Sequence, residues 1–406
     1  MPWAILGISW LMAFAMMAPI YCVPPMEHIL KEELLLNHTQ TILLYAAPLI
    51  MIVAAAIPGG FIADKIGIKR SAGISIIIVV IGTVLRGMAT TPSSLLAFTF
   101  IYGAGLGLSF PNLQKLVSIW VPREKAGIGT GIFATGILTA TALPLAITMP
   151  LIFPITNNFQ GVFAFWSIPP IIAAIVWWLR IKEPPKDINS NSLAIDHRML
   201  LRKVLRNGGI WLVAILFFLH DFYFSTWAGW APTLMLLKGA TPHMAGVIAS
   251  VTIWVGIPTV FFIPRLSYKL GLRKPFLWIP GIAAAFIAWG TIEASIPLSW
   301  VLMALIGFVL EMRFVTIMAL PVEISPKEEV GMASGLVLSV GFAGGVCGSL
   351  IAGRILDLTG SLNSALIVLI AVSIAATAVA LRIPETGPKA KIKKMEPRSL
   401  EEVDQS

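Results

Sequence analysis

Twelve times this chain runs for about 20 residues on almost nothing but apolar side chains before a charge or a Gly/Pro cluster interrupts it. A helix needs roughly 20 apolar residues to cross a bilayer core of about 30 Å. In hydrocarbon the backbone must satisfy its own hydrogen bonds, so runs of this length predict spanning helices. They fall approximately at 3–24, 41–62, 72–90, 94–120, 128–153, 161–182, 209–236, 244–266, 275–292, 298–322, 329–353 and 363–383. Charged residues are 12% of the 406 and hydrophobic residues 57%, whereas an average soluble domain is about 25% charged. The expected fold class is an all-α membrane protein with twelve transmembrane helices.

The charges also orient it. Lys and Arg accumulate in cytoplasmic loops. With Met1 inside, the even-to-odd loops collect Lys65, Lys69, Arg70, Arg123, Lys125, Arg180, Arg202, Lys203, Arg206, Arg265, Lys269, Arg273, Lys274 and Lys327, while Lys31, Arg86, Lys238 and Arg354 fall at the outer side. This predicts a multi-pass protein of the cell membrane with both termini cytoplasmic. The net charge of +9 therefore points to anionic headgroups at the inner face, not to nucleic acid. The first segment has no basic n-region or small-residue cleavage site and reads as a retained span. Cys22 and Cys347 both lie within apolar runs, which predicts two inert core thiols.

Asp64-Lys65-Ile66-Gly67-Ile68-Lys69-Arg70 recurs, 204 positions on, as Tyr268-Lys269-Leu270-Gly271-Leu272-Arg273-Lys274. Gly127-Ile128-Gly129-Thr130-Gly131 and Gly331-Met332-Ala333-Ser334-Gly335 stand at the same offset. The chain thus divides into a six-helix bundle over 1–184, a cytoplasmic linker over 185–207, a second six-helix bundle over 208–386 and a basic, polar tail over 387–406. Two pseudo-symmetric bundles rocking about a midplane site are the architecture of alternating-access carriers. Glycines at three- and four-residue spacing in spans four, five and eleven predict close helix packing.

Over essentially its whole length the chain resembles the major facilitator superfamily of secondary transporters. The stretch Gly60-Phe61-Ile62-Ala63-Asp64-Lys65-Ile66-Gly67-Ile68-Lys69-Arg70 is similar to that superfamily's signature loop between helices two and three. The resemblance implies a conformational latch built from Gly60, Asp64, Gly67, Lys69 and Arg70, with Asp64 approaching the start of helix eleven in the outward-open state. A carboxylate there meets the positive end of a helix dipole. In the second copy Tyr268 replaces the acid and Pro264 the glycine, so a symmetrical second latch is not expected. Trp230-Ala231-Pro232-Thr233-Leu234 and Phe110-Pro111-Asn112-Leu113-Gln114-Lys115 resemble, over a small part of the chain, the cyanate and nitroimidazole carrier branch.

The resemblance also implies that spans one, four, seven and ten line the central cavity. A charge at mid-bilayer costs about 2.5–3.5 kcal/mol, so one that persists faces a cavity or a partner. Span seven carries His220 and Asp221 among aromatic residues, of which Trp227 is a candidate substrate contact. Asp221 and Ser225 share one face and His220 and Phe224 another; the pair serves proton coupling or a local ion pair. Glu311 and Arg313 of span ten stand about 200° apart, so one faces the pathway while the other meets a neighbouring helix. Arg313 suits a carboxylate-like anion, and Glu311 a proton. Asn112 and Lys115 of span four and Tyr21 of span one are further substrate contacts, although Lys115, Arg86 and Arg354 also sit where long side chains snorkel to the interface.

The expected function is alternating-access transport of a small anion of the cyanate, nitrate or short-monocarboxylate type, coupled to protons. No phosphate loop, zinc motif or nucleophile elbow occurs, so neither a cofactor nor enzymatic activity is expected. Expected partners are the small solute, protons and lipid, with the protein acting as a monomer. Two alternatives stand: efflux of neutral or cationic aromatic compounds, held by the same acids and rings, and a membrane receptor that binds without transporting.

Overall fold

The computed structural model describes residues 2–120, 126–181, 197–326 and 329–387. Twelve helical segments are long and apolar enough to cross a membrane. In the first half these are α1 (Pro2–Tyr21), α3 (His38–Ile66), α4 (Ile68–Arg86), α5 (Pro92–Trp120), α6 (Ala126–Ile147) and the pair α8 (Phe159–Trp166) and α9 (Ile168–Arg180). In the second they are α11 (Gly208–Leu237), α12 (Pro242–Leu270), α13 (Pro275–Ile292), α14 (Ile296–Ile324), α15 (Val330–Thr359) and α16 (Leu362–Arg382). Shorter pieces, α2 (Glu27–Leu34), α7 (Phe153–Thr156) and α10 (His197–Arg206), lie between them.

The repeat seen in the sequence is a repeat of packing. In the first half α1 packs on α6 and α3 on α5; in the second, α11 packs on α15 and α12 on α14. Across the halves α3 meets α15 and α6 meets α12, the two seams that a pseudo-twofold axis would exchange. Gly67 and Gly271 end α3 and α12 at φ of +91° and +71°, backbone states that glycine adopts without a Cβ clash. Close approach follows the small residues. A methyl group added at Gly107 would fall on the Met51 carbonyl of α3, and one at Gly307 on the Thr252 carbonyl of α12.

Prolines set the irregularities. Pro150 has no N–H to give Ala146, and there the fifth span passes through a π turn, Thr148–Ile152. Pro169 and Pro170 likewise have no N–H to give the Phe165 and Trp166 carbonyls, and the sixth span breaks at Ser167, whose amide turns back to Ala164 and Phe165. Pro24 and Pro25 end α1, whose last carbonyls then need other partners.

Arg86 supplies one. The sequence places it as a snorkelling side chain, but it is 1% exposed, with Nη1 donating to the Pro19 carbonyl at 2.8 Å and its guanidinium 4.2 Å from the centre of the Phe163 ring. A frayed helix end is negative and short of donors, which favours a buried cation there over one at the headgroups. In the second half Lys238, at the end of α11, donates to the carbonyls of Ile292, the last residue of α13, and of Ala294 just beyond it. Cys347 also departs from expectation: Cys22 is buried, Cys347 exposed.

Candidate functional site

Asn207 starts α11 by accepting from the Gly209 and Ile210 amides, which carries His220 and Asp221 to mid-length. Asp221 is 6% exposed. Its carboxylate accepts from the Ser225 hydroxyl one turn on, at 3.4 Å, and lies over Gly345 of α15, where any Cβ would overlap Oδ2. On the opposing half the Tyr21 and Tyr45 rings meet edge to face at 5.7 Å. Tyr21 lies beside Thr141 of α6, and Tyr45 beside Ser225 and against Gly229 of α11. The Tyr45 hydroxyl is nevertheless buried without a well-formed hydrogen bond. Side chains from α1, α3, α6 and α11 thus converge at one polar junction between the halves.

Glu311 of α14 is 4% exposed, with Oε2 unpartnered and its stem against Gly256 of α12. Both it and Asp221 lie within electrostatic reach of the Tyr21 hydroxyl. Neither carboxylate forms an ion pair with a described residue. Such buried acids are expensive to ionise.

Arg313 points elsewhere, as its rotation about α14 requires. Its guanidinium covers Gly281 of α13 beside Thr377 of α16, Nε and Nη2 have no partner, and the side chain is 1% exposed. His220 occupies the same interior, its ring 5.9–6.4 Å from those of Phe217, Phe224 and Phe314. His220 and Asp221, although adjacent, do not pair. Trp227 stacks on Tyr223 at 5.8 Å and faces a small cleft toward α16 with Thr226, Trp230 and Leu366. The sequence-derived candidates therefore separate into a junction of Tyr21, Asp221 and Glu311 and a second layer of His220, Arg313 and Trp227 behind it. The side chains of Asp64, Asn112 and Lys115, and the surroundings of Gly60, lie outside the described residues.

At the end of the molecule bearing Gly67, the Lys69 carbonyl accepts from Trp177 Nε1 at 3.0 Å, and Arg70 is exposed. The second copy of the loop is tied within its own half. Arg273 pairs with Glu323 at 2.9 Å, and Glu385 accepts from the Arg273 and Lys274 amides at 2.6 and 3.1 Å. Tyr268, in the acid's place, is 71% exposed.

The opposite end holds residues that sequence reasoning missed. Asp357, near the end of α15, accepts from the His38 and Thr39 amides of α3, each at 2.9 Å, and from the Thr39 hydroxyl. His38 bridges Glu27 at 2.7 Å and Lys31 at 2.6 Å, and His243 of α12 lies 3.1 Å from the Met149 carbonyl. Asp357 contacts residues more than 300 positions away, so no local pattern announces it. No cluster suited to a metal ion occurs among the described residues.

A family model described as Major Facilitator Superfamily matches residues 9–239 and 213–403. A probable sulfoacetate transporter of Cupriavidus necator is 26% identical, over 88% of this chain and 88% of that protein. A hexuronate transporter of Bacillus subtilis is 22% identical over 83% of each, and a 2-nitroimidazole transporter of Escherichia coli 23% identical over 83% and 84%. Among solved structures, a bacterial homologue of the human lysosomal transporter Spinster, inward-facing and unoccupied, superposes with a TM-score of 0.80 at 15% identity, covering 93% of this chain and 95% of that one. A D-xylose–proton symporter gives 0.77 at 15% identity, over 95% and 98%.

Proposed function

Because the chain belongs to the major facilitator superfamily of secondary transporters, we propose that it carries a small anion of the carboxylate, sulfonate or cyanate type together with protons, by alternating exposure of the junction at Asp221 and Glu311. The observation that carries this reading is that both acids are buried, within electrostatic reach of Tyr21 from the other half, with no cation in ion-pair contact among the described residues. Within the second half, with Asp221, Glu311 and Arg313 all ionised, the three side chains sum to −1. An arriving anion would deepen that charge in a medium where each unpaired charge costs several kcal/mol. Once both acids take up protons the sum is +1, and a monovalent anion brings it to zero. Protonated carboxyls also become donors to the anion.

The acids are thus the proton sites. Tyr21, with Asn112 and Lys115 of α5, supplies contacts from the first half, and Arg313 provides a fixed positive charge from behind α14. The relatives named for acids, sulfoacetate and hexuronate, support the substrate class. The basic residues at the Gly67 and Gly271 turns support a cytoplasmic placement of that end. The Asp357 end is then external and closed.

The test is uptake of labelled sulfoacetate, glucuronate and cyanate into proteoliposomes under an imposed pH gradient. Accumulation is expected in wild type, with Asp221→Asn and Glu311→Gln retaining exchange of preloaded anion but losing gradient-driven accumulation. If no pH gradient moves any anion, or Glu311→Gln still accumulates it, proton-coupled anion transport is wrong. The ring cluster around His220 favours a second reading, carriage of an aromatic compound. Uptake of labelled 2-nitroimidazole in place of the anions would select it, while specific binding without exchange would select the receptor.

A further inference from the structure

Helix α10 is the longest of the three short helices between the described spans, and most of its side chains are sorted by direction. At 100° per residue, Leu200, Leu201, Val204 and Leu205 share one side and Arg202, Lys203 and Arg206 the other. Val204 is buried against the inner ends of α11 and α15, in a core with Ile210, Val213, Ala333 and Val337. The two leucines beside it are left out of that core: Leu201 and Leu205 stay exposed, as do the three cations. None of the cations forms an ion pair with a described residue.

A helix with one edge on the protein, one apolar edge bare and a basic crest fits the boundary between acyl chains and headgroups. The bare edge does not stand alone. Trp211 donates its indole N–H to the Leu205 carbonyl at 2.9 Å, and Trp211 and Ile215, one turn apart on α11, are both partly exposed toward the outside of the bundle. Leu205 thus continues the outward-facing stripe of a spanning helix, and Trp is a side chain of the membrane interface.

We propose that α10 is a lipid-docking helix. Leu201 and Leu205 enter the acyl boundary, and Arg202, Lys203 and Arg206 bind the phosphates of anionic phospholipids. Through Val204 the docked helix holds the inner ends of α11 and α15 at the membrane surface. A basic residue near an anionic surface contributes about 1 kcal/mol, so removing three should weaken docking by up to roughly a hundredfold, at about 1.4 kcal/mol per decade.

The test places a fluorescent label at Leu205→Cys in the full chain, with Cys22→Ala and Cys347→Ala, in vesicles containing brominated phosphatidylcholine as a depth-dependent quencher. Quenching should be strong when phosphatidylglycerol makes up about a third of the lipid, and should fall in 0.5 M salt as headgroup attraction is screened. It should fall equally in the R202Q/K203Q/R206Q variant, and should stay low in pure phosphatidylcholine even with added inorganic phosphate. A label at Arg202→Cys should escape quenching throughout. The salt response of the otherwise unaltered labelled chain stands even if the triple variant does not fold. Quenching that is equal with and without phosphatidylglycerol and indifferent to salt, or absent altogether, would overturn the proposal. No transport is measured, so the outcome is independent of the substrate reading.

Discussion

Replacing Asp357 should open the end of the molecule at which it sits without unfolding the helix it holds. The helix is safe because α3 carries its own cap. The Asn37 side chain accepts from the Gln40 amide at 2.7 Å, and the Gln40 side chain accepts from the Asn37 amide at 3.0 Å, a reciprocal capping box. Asp357 adds a second acceptor from the other half, at amides that water can reach once the halves part. Hydrogen bonds to charged groups contribute roughly 1.5–3 kcal/mol each when nothing replaces them, and loss of a capping side chain costs about 0.5–2. With water regained by the amides, about 2 kcal/mol is the expected loss for Asp357→Ala, and about half that for Asp357→Asn, which keeps one oxygen but not the charge. Two kcal/mol is about a 30-fold change in the ratio of closed to open molecules. A ratio of about 100:1 becomes about 3:1, so the open form rises from about one in a hundred to about one in four. Spin labels at the exposed positions Leu35 and Leu358, measured by double electron–electron resonance, should show one short distance in wild type and an added longer one in Asp357→Ala. An unchanged distribution, with thermal stability intact, would refute the assignment of Asp357 as a clasp.

Gly107→Ala and Gly307→Ala should each destabilise by about 1–3 kcal/mol through overpacking against a facing carbonyl, whereas Gly290→Ala, with open space around it, should be neutral or stabilising by up to about 1 kcal/mol; thermal unfolding in detergent distinguishes them. Arg86→Lys should lower the unfolding temperature despite keeping the charge, because an ammonium cannot both reach the Pro19 carbonyl and stack on Phe163 as a planar guanidinium does. Glu385→Ala should cost about 1–2 kcal/mol by leaving the Arg273 and Lys274 amides without their acceptor. Hydrogen exchange at the start of α13 should rise in that variant, and an unchanged rate would argue against the contact.

Spans seven to twelve are legible in the sequence to within a few residues at most ends, because lipid imposes one length and one polarity on every crossing. The turn after Ile66 and its counterpart after Leu270 are legible too, since a glycine among cations between apolar runs has few other uses. The opposition of Glu311 and Arg313 followed from helix rotation alone. What could not be read was partnership. Arg86 lies near the end of an apolar run whether it snorkels or caps α1, and only the meeting of α1 with α4 decides between the two. Asp357 reads as an ordinary acid at a helix end until α3 is brought against it. The breaks in spans five and six were encoded by Pro150, Pro169 and Pro170, but a hydropathy pattern averages over them. Helix α10 is short and lies in a polar, charged linker, so its apolar edge is too brief to stand out from the sequence.

The pseudo-twofold relation extends to backbone and not to charge, and that mismatch gives the closed end a strong edge and a weak one. Asp357 maps 204 positions back onto Phe153, and the seam that would mirror its clasp is held by the imidazole of His243 on the Met149 carbonyl. One edge of the closed end is fastened by an anion on a helix start, the other, among the described residues, by an imidazole on a neutral oxygen. Separation should begin where α6 meets α12 and reach the α3–α15 edge last, when the Asp357 carboxylate lets go, so the entrance unfastens from one side to the other.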